Sequence, residues 1–363
     1  MSSGRSSRIA SLDILRLIAA LAVVGFHYLF AGPKTAEYGL PGFPEAAPMA
    51  IFGYLGVNLF FLISGYVISW SAEGRDALDF AVARFVRLWP GHVVAMTATF
   101  AVMAFAAMDA FPVSWMQWLA NLTMLAPAFG QPFMDGAYWS IVLELVFYFW
   151  VTVALMTGVF QRHKLELVAV WLLLALANET LVDSEALRML FVTEYAGFFA
   201  GGIIAYEAKK AGWNAVLLTF AAAAFVFGTM TLFSGRAWML DHYGVALSPA
   251  ALVASSAVLH AVFLGTLTIH LRASKGIALA GAVTYPLYLL HQHVGYAVID
   301  ALAPHIGGLA AIAAATAIAV VAATVIVIVF ERPAQRLMKP WLAKAADFVR
   351  RLALMRKPGF AKA

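Results

Sequence analysis

The chain has no cysteine and few charges. None of its 363 residues is Cys and only 12% are Asp, Glu, Lys or Arg, about half of the roughly 25% usual in soluble domains. Lack of cysteine excludes disulfides, thiolate nucleophiles, zinc–thiolate sites and any enzyme-bound thioester. Scarce charge goes with 63% hydrophobic residues and a mean hydropathy of +0.85. That excludes an ordinary soluble domain, which could not hide so much apolar surface. No internal repeat or low-complexity linker is visible, and an inverted-repeat transporter would show symmetry between its halves.

What is present is a succession of apolar runs, at 9–30, 49–71, 88–108, 137–158, 166–180, 189–207, 214–233, 248–270, 277–301 and 308–330. A span needs about 20 residues. The expected fold is therefore all-α, a polytopic transmembrane helix bundle of about ten spans. The run 166–180 is the shortest. The stretch 113–126 is amphipathic, aromatic and too short to span, which fits an interfacial or re-entrant helix. The first apolar run exceeds the roughly 7–15 residues of a signal-peptide core and is read as a retained span.

Charge placement sets the topology. With the N-terminus inside, Arg5, Arg8, Arg75, Arg84, Arg87, Arg162, Lys164, Lys209, Lys210, Arg272 and Lys275 fall on the cytoplasmic side. So do the basic residues from Arg332 onward, including Arg350, Arg351, Arg356, Lys357 and Lys362. Only Lys34, Arg188 and Arg236 fall outside. This is the positive-inside bias. Both termini are expected in the cytoplasm, in an inner (cytoplasmic) membrane. The net charge of +5 is absorbed by topology, so no nucleic-acid partner is expected. Residues 1–340 read as the membrane domain and 341–363 as a basic tail lying on the anionic leaflet.

Ionisable residues inside spans cost at least ~2.5–3.5 kcal/mol each and are functional candidates by default. In "LRLIAALAVVGFHY", Arg16 and His27 are eleven residues apart. That is about 1,100° of helical rotation and about 16 Å of rise, so the two share a face. Asp13 precedes Arg16 by three and can pair with it. Two readings of Arg16 stand: a structural ion pair, or a substrate contact. His27 is either an interfacial histidine bonded to a carbonyl or a base. Glu144, in "WSIVLELVFYF" after Trp139, is either paired with an intramembrane arginine or the partner of a histidine. In "TYPLYLLHQHVGY", His291 and His293 face different ways and make a poor metal site, and no metal is expected. Tyr288 shares the face of His291. Arg84 and Arg87 read as topology anchors or as a phosphate clamp. Asn58, Ser64 and Gly65 in "GVNLFFLISGYVIS" read as close-packing residues.

In this order, these segments resemble the acyltransferase-3 family of integral membrane O-acyltransferases. Arg16 and His27 match the family's arginine–ten residues–histidine signature. "VNLFFLISGYVIS" is similar to its F-F-x-x-S-G motif, "ARFVRLWP" to its R-x-x-R segment, and "YWSIVLELVFYF" to its W-S-x-x-x-E stretch. "TYPLYLLHQHV" and "FERPAQRL" resemble its last helices. "HQHV" departs from the family, which more often has proline or tryptophan soon after the histidine. The resemblance covers roughly 9–340, as a single-domain member. It implies transfer of an acyl group, usually acetyl, from acyl-CoA to a hydroxyl of a carbohydrate or a lipid-linked or exported acceptor. On that reading His27 is the general base, with Glu144 as its orienter and His291 as a second base candidate. Arg16, Arg84 and Arg87 hold acyl-CoA, and Asp13, Ser64, Trp139 and Tyr288 support the site. The competing reading is a transporter using Asp13, Arg16, His27 and Glu144 as a proton or substrate path.

Overall fold

The computed structural model describes residues 9–35 and 38–355. Among them there is no strand. The long helices are α1 (Ala10–Phe26), α2 (Gly56–Ala72), α3 (Ala77–Ala106), the short α4 (Trp115–Asn121), α5 (Trp139–Met156), α6 (Lys164–Ala177), α7 (Glu185–Phe191), α8 (Ala196–Ala211), α9 (Ala215–Leu232), α10 (Ser234–Tyr243), α11 (Pro249–Thr268), α12 (Lys275–Ile306), α13 (Gly308–Val325) and α14 (Arg332–Met355). The basic residues Arg5, Arg8, Arg356, Lys357 and Lys362 lie outside the described residues.

Among these residues eight helices are long and apolar enough to cross a membrane, or nine if the bent pair Glu185–Phe191 and Thr193–Ala211 is one span. The expected ten are reached only by counting α12. Its 32 residues run about 48 Å, ample to cross. Its Tyr, His, Gln and Pro content keeps it from reading as apolar. These polar residues are tolerated because α12 is the bundle's central helix, packed on α13, α1 and α3, and much of it is buried rather than facing lipid.

Three sequence expectations change at element boundaries. Helix α3 begins at Ala77, capped by Asp76, which accepts from the Asp79 N–H at 3.0 Å. Arg84 and Arg87 are therefore inside this helix and not in a loop before it. The 189–207 run is broken by 57° at Val192, which has φ 50°, a strained left-handed value for a β-branched residue. The 113–126 stretch forms only the seven-residue α4, closed at its start by a Ser114–Gln117 capping box.

Helices α2 and α8 cross at glycine contact. A Cβ on Gly65 would meet the Phe199 carbonyl, and one on Gly202 the Leu62 carbonyl. Such crossings are how membrane helices gain packing where no hydrophobic drive separates helix from lipid. The C-terminal α14 is strongly amphipathic and packs along α3. Its Arg350 bonds Asp76 at 2.5 Å and Asp79 at 2.7 Å, tying the last helix to the first turn of α3.

Candidate active site

Helix α1 does not end at Phe26. It continues through a π-helical turn, His27–Ala31, a rare geometry often found at functional sites. His27 is the first residue of that turn. Its Nδ1 lies 3.1 Å from the Tyr296 hydroxyl of α12, and the same hydroxyl donates to the His27 carbonyl at 3.4 Å. With its proton pointed at the carbonyl, the phenol oxygen accepts from Nδ1–H. Nε2 then carries the lone pair. No described residue bonds Nε2.

His27 lines a cavity of about 790 Å³. Asn58, Trp139, Leu143, Tyr288 and Gln292 also line it. Tyr288 is fixed there by Ser140 Oγ at 2.7 Å and the Ala137 carbonyl at 3.2 Å. The lining also carries Glu179, Glu185, Arg188, Glu194 and Trp238. Arg188 is tied to Glu179 (3.2 Å) and Asp183 (2.8 Å), and also to Glu185. This lining sets carboxylates, one constrained arginine and indole and phenol faces around a volume suited to a small polar molecule.

A second polar cluster occupies the Arg16 end. Arg16 lies 3.7 Å from Asp13, with Arg87, Tyr148 and Glu144 as its other charged or phenolic neighbours. Glu144 accepts from Ser64 at 2.6 Å and from the Tyr148 hydroxyl. Arg87 pairs with Glu331 at 2.6 Å, and Gln335 donates to that carboxylate at 2.9 Å. Arg84 makes no ion pair with a described residue. It lies over the rings of Phe80 and Tyr148, and its buried Nε has no partner.

The structure thus sorts the expected site residues into two layers. His27, Trp139 and Tyr288 line the cavity. Asp13, Arg16, Ser64, Arg84, Arg87 and Glu144 form the other cluster, about 16 Å down α1 by helical rise. Glu144, expected to orient His27, bonds Ser64 and Tyr148, while the His27 Nδ1 is held by Tyr296. His291 is fully buried and does not line the cavity. Its Nδ1 is spent on the Tyr288 carbonyl at 2.7 Å and its Nε2 has no partner. Its ring lies 5.1 Å from that of His27, so it packs against that imidazole on the side away from the cavity. His293 faces elsewhere, as the two-residue spacing requires. It holds the Met134 carbonyl (3.1 Å) and accepts from Gly136 N–H (3.3 Å), stacked on Phe111.

Sequence reasoning did not single out Tyr296, Asp135 or Glu331. Asp135 is fully buried and joins the Ala137 N–H (2.9 Å) to the His293 N–H (2.9 Å), pinning the loop before α5 to α12. Among the described residues no group of three or more His, Asp or Glu is placed to hold a metal.

An imidazole tied at Nδ1 and opening on a cavity, inside a bundle of helices long and apolar enough to cross a membrane, defines a multi-pass membrane protein with a polar interior site. The chain belongs to the acyltransferase-3 family, whose acyltransferase domain matches residues 9–330, and its described residues form a multi-pass membrane helix bundle. It is also 28% identical over 155 residues to Acyltransferase MdmB of Streptomyces mycarofaciens. That match spans 40% of this chain and 38% of the relative. No solved structure matches the chain.

Proposed function

We propose that the protein transfers an acyl group, acetyl in the simplest case, from cytosolic acyl-CoA to a hydroxyl of a carbohydrate or other envelope or exported acceptor at an inner membrane. The observation that carries this reading is the free Nε2 of His27 on the cavity, with Nδ1 tied to Tyr296. Nε2 takes the hydroxyl proton as the acceptor oxygen attacks the thioester carbonyl carbon. The C–S bond breaks, and the imidazolium returns the proton to the CoA sulfur. On the donor side Arg84 holds a CoA phosphate, with Arg16 and Arg87 adding positive charge. Glu144 positions the donor cluster through Ser64 and Tyr148. The aromatic and carboxylate wall of the cavity suits a polyhydroxylated acceptor.

The test is CoA-thiol release by purified protein given acetyl-CoA and envelope glycan from the source cells, previously stripped of esters with mild base. Ester formation that needs both substrates and is lost in His27→Ala supports the reading. Movement of substrate without thioester consumption would replace it with a transporter.

A further inference from the structure

Asn58, the third residue of α2, is 3% exposed. Its side-chain amide makes no hydrogen bond with any described residue, yet it lines the same cavity as His27. Its spacing in "GVNLFFLISG" suggests a packing residue, but a packing asparagine inside a bundle satisfies its amide on a neighbouring carbonyl or side chain. A buried amide kept free on a cavity is held ready for something that enters the cavity.

Its placement is fixed by close helix contact. A Cβ on Gly56 would stand 2.5 Å from the Ala19 carbonyl and 2.8 Å from Val23 Cγ2. The first turn of α2 is thereby locked onto α1, one to two turns before His27. Tyr54, just upstream of α2, stacks near Phe26 with ring centroids 5.9 Å apart, so the start of α2 lies at the His27 end. Side chains tilt toward the N-terminus of their helix, and the Asn58 amide therefore leans toward the His27 end of the cavity that both line. A reacting carbonyl placed between the two would meet a base on one side and an N–H donor on the other.

We propose that Asn58 is a catalytic residue of the acyl transfer. Its carboxamide N–H donates to the thioester carbonyl oxygen as that oxygen takes up negative charge. The acceptor oxygen bonds to the carbonyl carbon, and its proton goes to His27. Collapse of the tetrahedral species then expels the CoA sulfur, which receives that proton. Removing one oxyanion donor typically costs 10²–10³-fold in turnover.

This inference rests on the acyl-transfer reading above, and one experiment separates the two. Wild type, Asn58→Ala and the isosteric Asn58→Asp are purified and assayed with acetyl-CoA and base-treated envelope glycan. Both variants are expected to lose about 10²–10³-fold in kcat, while KM for acetyl-CoA stays within about threefold and size-exclusion profiles match wild type. Wild-type kcat in Asn58→Ala, or a change in KM alone, overturns the proposal. If Asn58→Ala elutes as aggregate, Asn58→Asp decides, since it keeps the shape and removes the donors. A wild-type protein that releases no CoA thiol defeats the acyl-transfer reading instead.

Discussion

His27 Nδ1 and the Tyr296 hydroxyl stand 3.1 Å apart, joining residues 269 positions apart in sequence. The bond fixes which imidazole nitrogen is free. Tyr296→Phe removes it and keeps the ring. In steady-state assays we expect kcat to fall about 10- to 100-fold with acetyl-CoA affinity retained. His27→Ala should fall further, by the 10²–10⁴-fold that a general base contributes. Equal turnover in Tyr296→Phe and wild type would remove the phenol from the machinery.

His291 stands behind His27 and is shut off from the cavity. His291→Asn should lower thermal stability in detergent by about 1–3 kcal/mol, through lost packing and an orphaned carbonyl partner. Its residual turnover should exceed that of His27→Ala by at least tenfold. The reverse order would make His291 the base.

Arg84 and Arg87 should separate. Arg84 has no ion pair to lose, and a charge-assisted hydrogen bond is worth about 1.5–3 kcal/mol. Arg84→Ala is thus expected to raise KM for acetyl-CoA about tenfold or more at unchanged melting temperature. Arg87→Ala leaves Glu331 buried and unpaired. Its cost should be about 3 kcal/mol in stability, the low end for a broken buried pair, because the Arg87 side chain is 35% exposed. Adding Glu331→Gln should restore part of that loss, and thermal melts of the three variants read it directly.

Glu144 touches Ser64 and Tyr148, not His27. Glu144→Gln should leave the acidic limb of the kcat/KM pH profile in place while changing KM for acetyl-CoA. A shift of that limb by a unit or more would return Glu144 to the base.

At the far end of the bundle, burial alone would raise the Asp76 carboxyl. The Arg350 guanidinium outweighs it, together with the Asp79 N–H, and holds Asp76 below its ordinary value. A lowered carboxylate contributes stability above its unfolded value and loses it as pH falls through the native one. Protection factors in α14, exchange corrected for its intrinsic pH dependence, should therefore be high at neutral pH and lower under acid. Arg350→Ala should lower them at both. Unchanged protection in Arg350→Ala would show that apolar packing on α3 holds the helix alone.

The spans were legible because lipid demands long apolar runs: nine of the ten runs each fall on one long helix, and the tenth, 189–207, falls on the bent pair α7 and α8. Arg16 and His27 were legible because a regular helix fixes their phase from sequence alone. The partners were not. Tyr296, Asp135 and Glu331 reach their contacts through helix crossings that set residues 158 to 269 positions apart side by side, and periodicity carries no information on crossings. The start of α3 was hidden for a related reason: Asp79, Arg84 and Arg87 look like loop charges until the bundle supplies Tyr148 and Glu331 to receive them. Nor does composition disclose that the Asn58 amide is free, since that depends on what fails to approach it.

The π turn at His27–Ala31 has a consequence for numbering as much as for shape. A π turn accommodates one residue more than the α-helix would, so side chains after it are out of phase with those before it by about 100°. Deleting a single residue between Tyr28 and Ala31 should restore an uninterrupted α-helix while leaving the segment beyond it in place, with Gly32 still against Leu40 and Tyr296. A one-codon deletion is thus expected to be far milder here than the loss of the histidine itself.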